Sequence, residues 1–373
     1  MTVLTKAVSA EDWGKIVRYY REQSPDALPY QSLPAEPQLD PGFFKTGPFV
    51  PRLPSSGIIT LLKTDTVHER IFVGEAGTNQ LRIFDWNRHL LSTLTLPSPP
   101  TGVIVENEHV LLLESGILSP NDEPKGSLVR YDFPGHDSLH FDRVLIDSLF
   151  RPVFVESFDF DGDGRNEFVI CEFGDNRGRL ALYRSDGSHY RRQVLDPGPG
   201  AIRLEIQDMT GDGHADIVAL FAQGDERIVL FENDGKGNFT GPGRVLARFP
   251  PVYGAAQAVV ADFDGDGDLD ILTSSNFADS VRHPERGIVF LENTGHYTFK
   301  PYAFSIASGG QWNLMAMADL NKDGRPDVII GAMNLGNIAN LQRRLTGPPA
   351  TSGKEPILFL ENRMHVSSHE NKD

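Results

Sequence analysis

The chain has 373 residues, with 51 acidic against 35 basic side chains and a formal net charge of −16. Hydrophobic residues at 39% supply enough apolar surface for a packed core, which excludes wholesale disorder, and no apolar run approaches the roughly 20 residues that span a bilayer. The acidic balance argues against nucleic-acid binding, which needs a basic stripe, and the single cysteine, Cys171, excludes an internal disulfide, a cysteine-based zinc site and covalent haem attachment.

Residues 1–56 differ in character from the remainder of the chain. The first twelve lack the apolar core and cleavage site of a signal peptide. This leaves open a cytoplasmic protein, a start further upstream or another route of export. From Ala10 to Gln23 the positions of Trp13, Ile16, Val17 and Tyr20 match helical spacing, with Ser9 and Asp12 available as helix-start residues. Pro25 to Pro54 then reads as a linker or a strap, because proline offers no ladder donor.

Residues 57–362 are built of repeats, and residues 363–373 form a polar tail. Four segments align: DFDGDGRNEFVI from Asp159, DMTGDGHADIVAL from Asp208, DFDGDGDLDILTS from Asp262 and DLNKDGRPDVIIG from Asp319. Their spacings are 49, 54 and 57 residues. Each is succeeded by a second phrase: LALYRSDG at Leu180, IVLFENDGKGNF at Ile228, IVFLENTGHYTF at Ile288 and ILFLENR at Ile357. Short β-branched runs bounded by Gly, Asn and Asp predict strands. Four such strands in about 50 residues is the pattern of a β-propeller blade. Gly57–Pro100 and Thr101–Phe150 fit the same pattern without the acidic loop. The expected fold is therefore all-β: a propeller of six four-stranded blades with a short N-terminal helix and a Pro-rich strap. A seventh blade assembled from the two chain ends, and four repeats attached to an unrelated domain, are the alternatives.

Each acidic loop places oxygen side chains at positions 1, 3, 5 and 9, with Gly at 6. These are Asp159, Asp161, Asp163 and Glu167; Asp208, Thr210, Asp212 and Asp216; Asp262, Asp264, Asp266 and Asp270; and Asp319, Asn321, Asp323 and Asp327. Odd spacing turns successive oxygens toward one point, and all-oxygen ligation favours Ca²⁺, up to four ions, with the backbone carbonyl of Asp268 and its counterparts adding a ligand. Two like charges 4 Å apart repel by about 1 kcal/mol in water and about 4 kcal/mol at an effective dielectric of 20, so four carboxylates held together without a cation would spring open. More ligand charge means tighter binding. The 262–270 loop is expected to be the tightest site and the 208–216 loop the weakest. An EF-hand is excluded, because position 12 is Ile170, Ala219, Thr273 or Ile330 rather than Glu and a β-rich run comes after each loop.

These loops and their spacing resemble FG-GAP/VCBS repeats, the units of bacterial calcium-binding propellers and of integrin α-chain propellers. The resemblance implies that the loop acids ligate Ca²⁺, that the first two repeats are metal-free, and that the protein is extracytoplasmic (periplasmic or secreted). The N-terminal helix looks like the tail of a cytochrome-c-type module that precedes such propellers in some bacterial proteins, yet no CxxCH is present here. An ordinary amphipathic helix packed on the propeller is the alternative.

Because antiparallel strands alternate in direction, the connections from second to third strand emerge opposite the acidic loops. Insertions at Asn276–Arg286, Met333–Lys354 and Ser115–Lys125 fall there. That face is expected to carry Arg282, His283, Arg286, Trp312, Arg343 and Arg344, a positive and aromatic set. The functional expectation is a monomeric, non-catalytic module that binds a protein or a glycan on this face. A carbohydrate-active lyase or hydrolase with His283 as base is the alternative, although no HExxH or GxSxG is present.

Overall fold

The computed structural model describes residues 58–364, apart from 107, 134–138, 188, 251–252, 276–283, 305–311 and 333–356, together with 14–15, 18, 38–39 and 44–48. Two strands precede the repeats, β1 (Gln38–Leu39) and β2 (Phe44–Pro48). Blade 1 comprises β3 (Ile59–Asp65), β4 (Arg70–Glu75), β5 (Gln80–Asp85) and β6 (Leu90–Thr95). Blade 2 comprises β7 (Pro100–Glu106), β8 (His109–Glu114), β9 (Gly126–Asp132) and β10 (His140–Leu149). Blade 3 comprises β11 (Pro152–Phe158), β12 (Glu167–Glu172), β13 (Arg179–Ser185) and β14 (Tyr190–Asp196). Blade 4 comprises β15 (Ala201–Gln207), β16 (Asp216–Phe221), β17 (Arg227–Phe231) and β18 (Arg244–Arg248). Blade 5 comprises β19 (Ala255–Ala261), β20 (Asp270–Ser275), β21 (Ile288–Asn293) and β22 (Phe299–Ala303). Blade 6 has β23 (Trp312–Ala318), β24 (Asp327–Ala332) and β25 (Ile357–Asn362).

In every blade the strands pair in chain order as an antiparallel meander. The first strands line the axis. Each packs on the first strand of the next blade, and β23 returns to β3, so the ring is closed with six blades. The alternative of four repeats on a separate domain is thereby overturned. The chain ends do combine, but they complete blade 6 rather than add a seventh. β2 pairs antiparallel with β25, from Phe44 opposite Asn362 to Pro48 opposite Leu358. β1 adds a short parallel fifth strand to blade 5, against β22. The Pro-rich segment thus supplies strands as well as connection, and Pro48 sits at a strand end, where a missing N–H costs least. In the expected N-terminal helix, Gly14, Lys15 and Arg18 are helical and exposed, and the rest lies outside the described residues.

No blade has a core of its own. The six hydrophobic clusters each join two neighbours: Val169, Cys171 and Leu182 of blade 3 pack with Leu204, Ile217 and Val229 of blade 4. Phe168, Ile170 and Ala181, on the other side of blade 3, pack with Leu111, Leu113 and Leu128 of blade 2. The last cluster joins Ile59, Ile71 and Val73 to Ala316 and Ile329 across the closure. Because both faces of each second strand are buried, alternate residues serve opposite interfaces, and the strand reads as a continuous apolar run such as FVIC. Close approach of neighbouring blades is visible at Gly102, where a Cβ would lie 2.9 Å from Val155 Cγ1 and 3.1 Å from Leu113 Cβ.

Polar ties reinforce these interfaces on both faces. Asn233, 4% exposed, donates from Nδ2 to the Phe160 carbonyl of the preceding blade at 3.1 Å and accepts the N–H groups of Gly235 and Gly237. Asn362 reaches the Phe263 carbonyl in the same way, at 3.0 Å. On the opposite face Glu226, between β16 and β17, accepts the Ala255 N–H at 2.7 Å. Burial pushes its carboxyl up to about 7, against the pull of the Ala255 and Gly254 amides.

Both kinds of tie can be tested. Asn233→Ala leaves the Phe160 carbonyl and two loop amides without their partner, and is expected to lower stability by about 1–3 kcal/mol in urea denaturation; an unchanged midpoint would remove the latch role. For Glu226 the folded-state pKa lies above the ordinary 4.5, so the folded form binds the proton more tightly than the unfolded chain. Its contribution is full at acid pH and is lost as pH rises through about 7. Melting curves from pH 5 to 8 should show this decline, and Glu226→Gln should flatten it.

Candidate metal centres and the opposite face

Each acidic loop joins the first and second strands of a blade, in blades 3 to 6. The position-1 carboxylate builds the turn. Asp159 accepts the amides of Gly162 and Asp163 on Oδ1 and of Gly164 on Oδ2, at 2.8, 3.1 and 2.9 Å. Asp208, Asp262 and Asp319 repeat the Oδ2 bond to the position-6 amide at 2.8, 3.1 and 2.9 Å. Those position-6 glycines, Gly164, Gly213, Gly267 and Gly324, all have positive φ, which a side chain rarely tolerates. Position 4 has positive φ as well: Gly162, Gly211 and Gly265 in three loops and Lys322, at 62°, in the fourth.

The position-9 acid is the first residue of the second strand and lies in the core. Glu167 is 4% exposed, and Asp216, Asp270 and Asp327 are 0% exposed. Asp270 accepts the Phe263 amide on Oδ2 at 3.1 Å and the Asn293 amide on Oδ1 at 2.8 Å. Asp216 and Asp327 do the same with Met209 and Asn233, and with Leu320 and Asn362. In blade 3 Glu167 holds the Phe160 amide at 3.0 Å, but Ser185 stands where the other blades have the Asn.

Burial raises the carboxyl of Asp270 to about 8, with the Asp264 and Asp266 carboxylates adding to the rise against two amide bonds. Glu167, Asp216, Asp264 and Asp327 are raised in the same sense, burial being the largest cause in each. Asp208 goes the other way: its desolvation is outweighed by the amides of Gly213, Gly211 and Asp212.

In two loops the acids converge. One oxygen from each of Asp159, Asp161 and Glu167, and one from each of Asp262, Asp264 and Asp270, lie within 4.8 Å of one another. Asp163 and Asp266 stand outside these triads; each accepts the amide two residues on, from Arg165 and Asp268, at 2.8 Å. The other two loops lack the position-3 carboxylate. Thr210 donates to Asp208 at 3.5 Å. Asn321 donates to Asp323 at 3.1 Å, and Asp323 is also paired with Arg325, so that loop carries its own cation. Three hard oxygens in one small volume, one of them buried and destabilised as an anion, fit a divalent hard cation.

On the opposite face, Arg282, His283, Arg343 and Arg344 lie outside the described residues, as do most of the insertions 276–286 and 333–354. Arg286 is half-buried in a one-turn 3₁₀ segment, Pro284–Gly287. Trp312 departs from the expected surface position. It opens β23 and is 1% exposed, packed with Phe304, Met315 and Leu360 between blades 5 and 6. It is a core residue and not a surface contact. Cys171 is fully buried within β12, and burial pushes its thiol well above the ordinary range, so it is no nucleophile.

This face also holds a set of buried glutamates that the repeat pattern does not single out. Glu75, Glu114 and Glu172 close the second strands of blades 1 to 3. Glu75 holds Arg82 at 3.1 Å, Glu114 the Tyr131 hydroxyl at 2.7 Å, and Glu172 the Tyr183 hydroxyl at 2.8 Å with the Phe150 amide at 3.0 Å. Their signal is an E-x-G phrase, Glu75-Ala76-Gly77, Glu114-Ser115-Gly116 and Glu172-Phe173-Gly174, which marks the blades where the acidic loop is absent or begins. All three are satisfied structural groups.

Comparison with known proteins agrees with this architecture. The model for the FG-GAP-like repeat matches residues 159–219 and 208–273. Integrin alpha pat-2 of Caenorhabditis briggsae is 26% identical over 253 aligned positions, covering 55% of this chain and 19% of that protein. The match thus spans about a fifth of that relative's length. Among solved structures, a luciferin-regenerating enzyme superposes with a TM-score of 0.57 at 8% identity, covering 86% of this chain and 95% of that one. Regucalcin, a calcium-binding protein from Agrobacterium tumefaciens, gives 0.54 at 11% identity, covering 85% and 93%. At these identities the two structures speak for the fold alone. The chain is therefore a closed β-propeller of six four-stranded blades that carries FG-GAP-like repeats over residues 159–273.

Proposed function

We propose that the chain is a calcium-stabilised, non-catalytic binding module that engages a protein or glycan on the face opposite its acidic loops. The observation that carries the calcium reading is the pair of carboxylate triads, Asp159/Asp161/Glu167 and Asp262/Asp264/Asp270, each with one acid buried at the head of a strand. Ca²⁺ on these oxygens would offset both the burial, which is the main cause of the rise at Asp270 and Asp264, and the repulsion that adds to it, and would leave the amide network of the turn intact. Asp208, Thr210, Asp212 and Asp216, and Asp319, Asn321, Asp323 and Asp327, would complete two weaker sites. An extracytoplasmic setting fits such sites, because extracellular modules work at Ca²⁺ affinities of about 10⁻⁴–10⁻³ M. The integrin alpha relative supports the same setting. No helix among the described residues is long and apolar enough to cross a membrane.

The ion contributes stability here rather than chemistry. Arg203, which lines a pocket, is committed to an ion pair with Glu205 at 2.7 Å. The carboxylates of the triads are bound up in loop hydrogen bonds, and Cys171 is sealed in the core.

Chelation with EDTA is expected to lower the melting temperature by several degrees, with recovery on adding Ca²⁺; an unchanged transition would overturn the calcium reading. In calorimetric titrations Asp264→Ala should remove the tightest binding step, whereas Asp212→Ala should remove a weaker one. On a glycan array and in pull-downs the intact chain should retain its ligand without release of reducing ends or unsaturated products. Turnover would overturn the non-catalytic reading.

A further inference from the structure

All six first strands carry a β-bulge at their second residue: the pairing register skips Thr60, Thr101, Val153, Ile202, Ala256 and Asn313. A bulge re-aims side chains locally. Repeated six times around the axis, it turns these residues into the central channel near the face that bears the second-to-third-strand connections. All six line one cavity of about 90 Å³, and Leu118, from the connection between β8 and β9, lines it too.

The wall of this cavity is largely apolar, with a few polar groups in it. Gln257 is 2% and Asn313 8% exposed, and Gln257 Oε1 and Asn313 Oδ1 have no hydrogen-bond partner among the described residues. The threonines differ. Thr60 donates its hydroxyl proton to the Pro100 carbonyl at 2.7 Å, and Thr101 donates to Pro152 at 3.0 Å, so each keeps only lone pairs to offer. Arg203 also lines the cavity. Its charge is compensated by Glu205, 2.7 Å away, and its guanidinium stacks 3.8 Å over the Phe154 ring.

A buried acceptor without a donor is costly, and an apolar cavity with a few well-placed polar groups is the usual form of a small-ligand site. The unmet need is for hydrogen-bond donors. A guanidinium in the wall works against a bare cation, and its ion pair with Glu205 works against an anion. A hydroxyl group meets both conditions, since it is uncharged and both donates and accepts. Size limits the guest further. By proportion to an engineered cavity of about 150 Å³ that holds benzene, this one takes about four heavy atoms.

We infer that the channel seats the hydroxymethyl-bearing edge of an uncharged sugar, with Gln257 and Asn313 accepting from its hydroxyls. The inference rests on the reading of this face as the ligand face, and it selects a neutral glycan among the ligands that reading allows.

The test is a titration of the ¹⁵N-labelled full chain, saturated with Ca²⁺, with methyl β-D-glucoside. The side-chain amide signals of Gln257 and Asn313 should shift saturably, with a millimolar Kd. Methyl β-D-xyloside, which lacks the hydroxymethyl group, should bind at least fivefold more weakly. In the double variant Gln257→Leu/Asn313→Leu, glucoside binding should fall at least tenfold while the Ca²⁺-dependent melting shift stays as in the parent, which also shows that the variant folds. Leu314→Phe, which fills the cavity from an apolar wall position, should have the same effect on binding. A non-saturable response, equal affinity for the two sugars, or unchanged affinity in both variants would each overturn the inference. A macromolecular ligand that binds this face equally well in the double variant would also overturn it, and would leave the face itself as the binding surface.

Discussion

One buried carboxylate per blade organises the loop-bearing half of the ring. Asp270 shows how. It opens the second strand at zero exposure, and its two oxygens hold the second loop residue and the residue that ends the third strand. A charge so placed is tolerable only when hydrogen-bonded or paired. Two amides go part of the way, yet the group still sits near 8 because it is buried and two further carboxylates face it. The loop is therefore arranged to favour a cation. In blades 4 and 6 the Asn held by the equivalent acid also reaches out of its blade: Asn233 and Asn362 each bond a carbonyl in the loop of the blade before. In blade 5 the Tyr297 hydroxyl makes that tie, to the Met209 carbonyl. Loop geometry, strand ends and the blade interface are thus one connected system on this face, and a cation in the loop acts on all of it.

The apolar side of the structure is just as indivisible. Each hydrophobic cluster belongs to two blades, and the second strands send alternate residues to opposite neighbours. An isolated blade would expose both its faces, so stability resides in the interfaces and depends on closing the ring. Closure has two parts: the cluster joining Ile59, Ile71 and Val73 to Ala316 and Ile329, and the pairing of β2 with β25. The second ties residues 44–48 to 358–362, so the two ends of the propeller are held in one sheet.

Much of this is legible in the sequence because the repeat is local. Acidic positions 1, 3, 5 and 9, the apolar run after them and the phrase ending in Asn all lie within one blade, and their period sets both strand count and blade count. Blades 1 and 2 are legible from strand pattern alone. The illegible parts depend on contacts far apart in sequence. Nothing in FKTGP marks it as a strand; its partner lies more than 300 residues away, and Pro48 argues against it. Trp312 reads as a surface residue because it starts a strand after a connection. It is buried because the first residues of the inner strands sit between two blades. Lys322 takes the left-handed conformation that Gly162, Gly211 and Gly265 adopt, and its ammonium is held by Glu69 of blade 1 at 2.6 Å. That partner is likewise invisible in the local sequence.

The two faces of the ring are committed to different tasks by the same geometry. On the acidic face every loop is stiffened by its own side chains, which accept loop amides in a fixed order and leave few groups to offer a large partner. Fourteen acids sit at the four metal-type positions of these loops, so most of the net negative charge is local to one face and is what a bound cation would offset. On the other face the connections vary in length and composition from blade to blade, and the bulge at the head of each inner strand turns a different side chain into the axis: threonine twice, asparagine once, and apolar residues elsewhere. A sixfold backbone device thus carries a sequence without sixfold symmetry. Specificity requires such asymmetry, because a symmetric ring of identical groups would present any guest with equivalent orientations. The recurring backbone of the repeat and its varied axis are therefore compatible. The acidic loops fix the frame, and the residues at the bulges are free to differ without disturbing it.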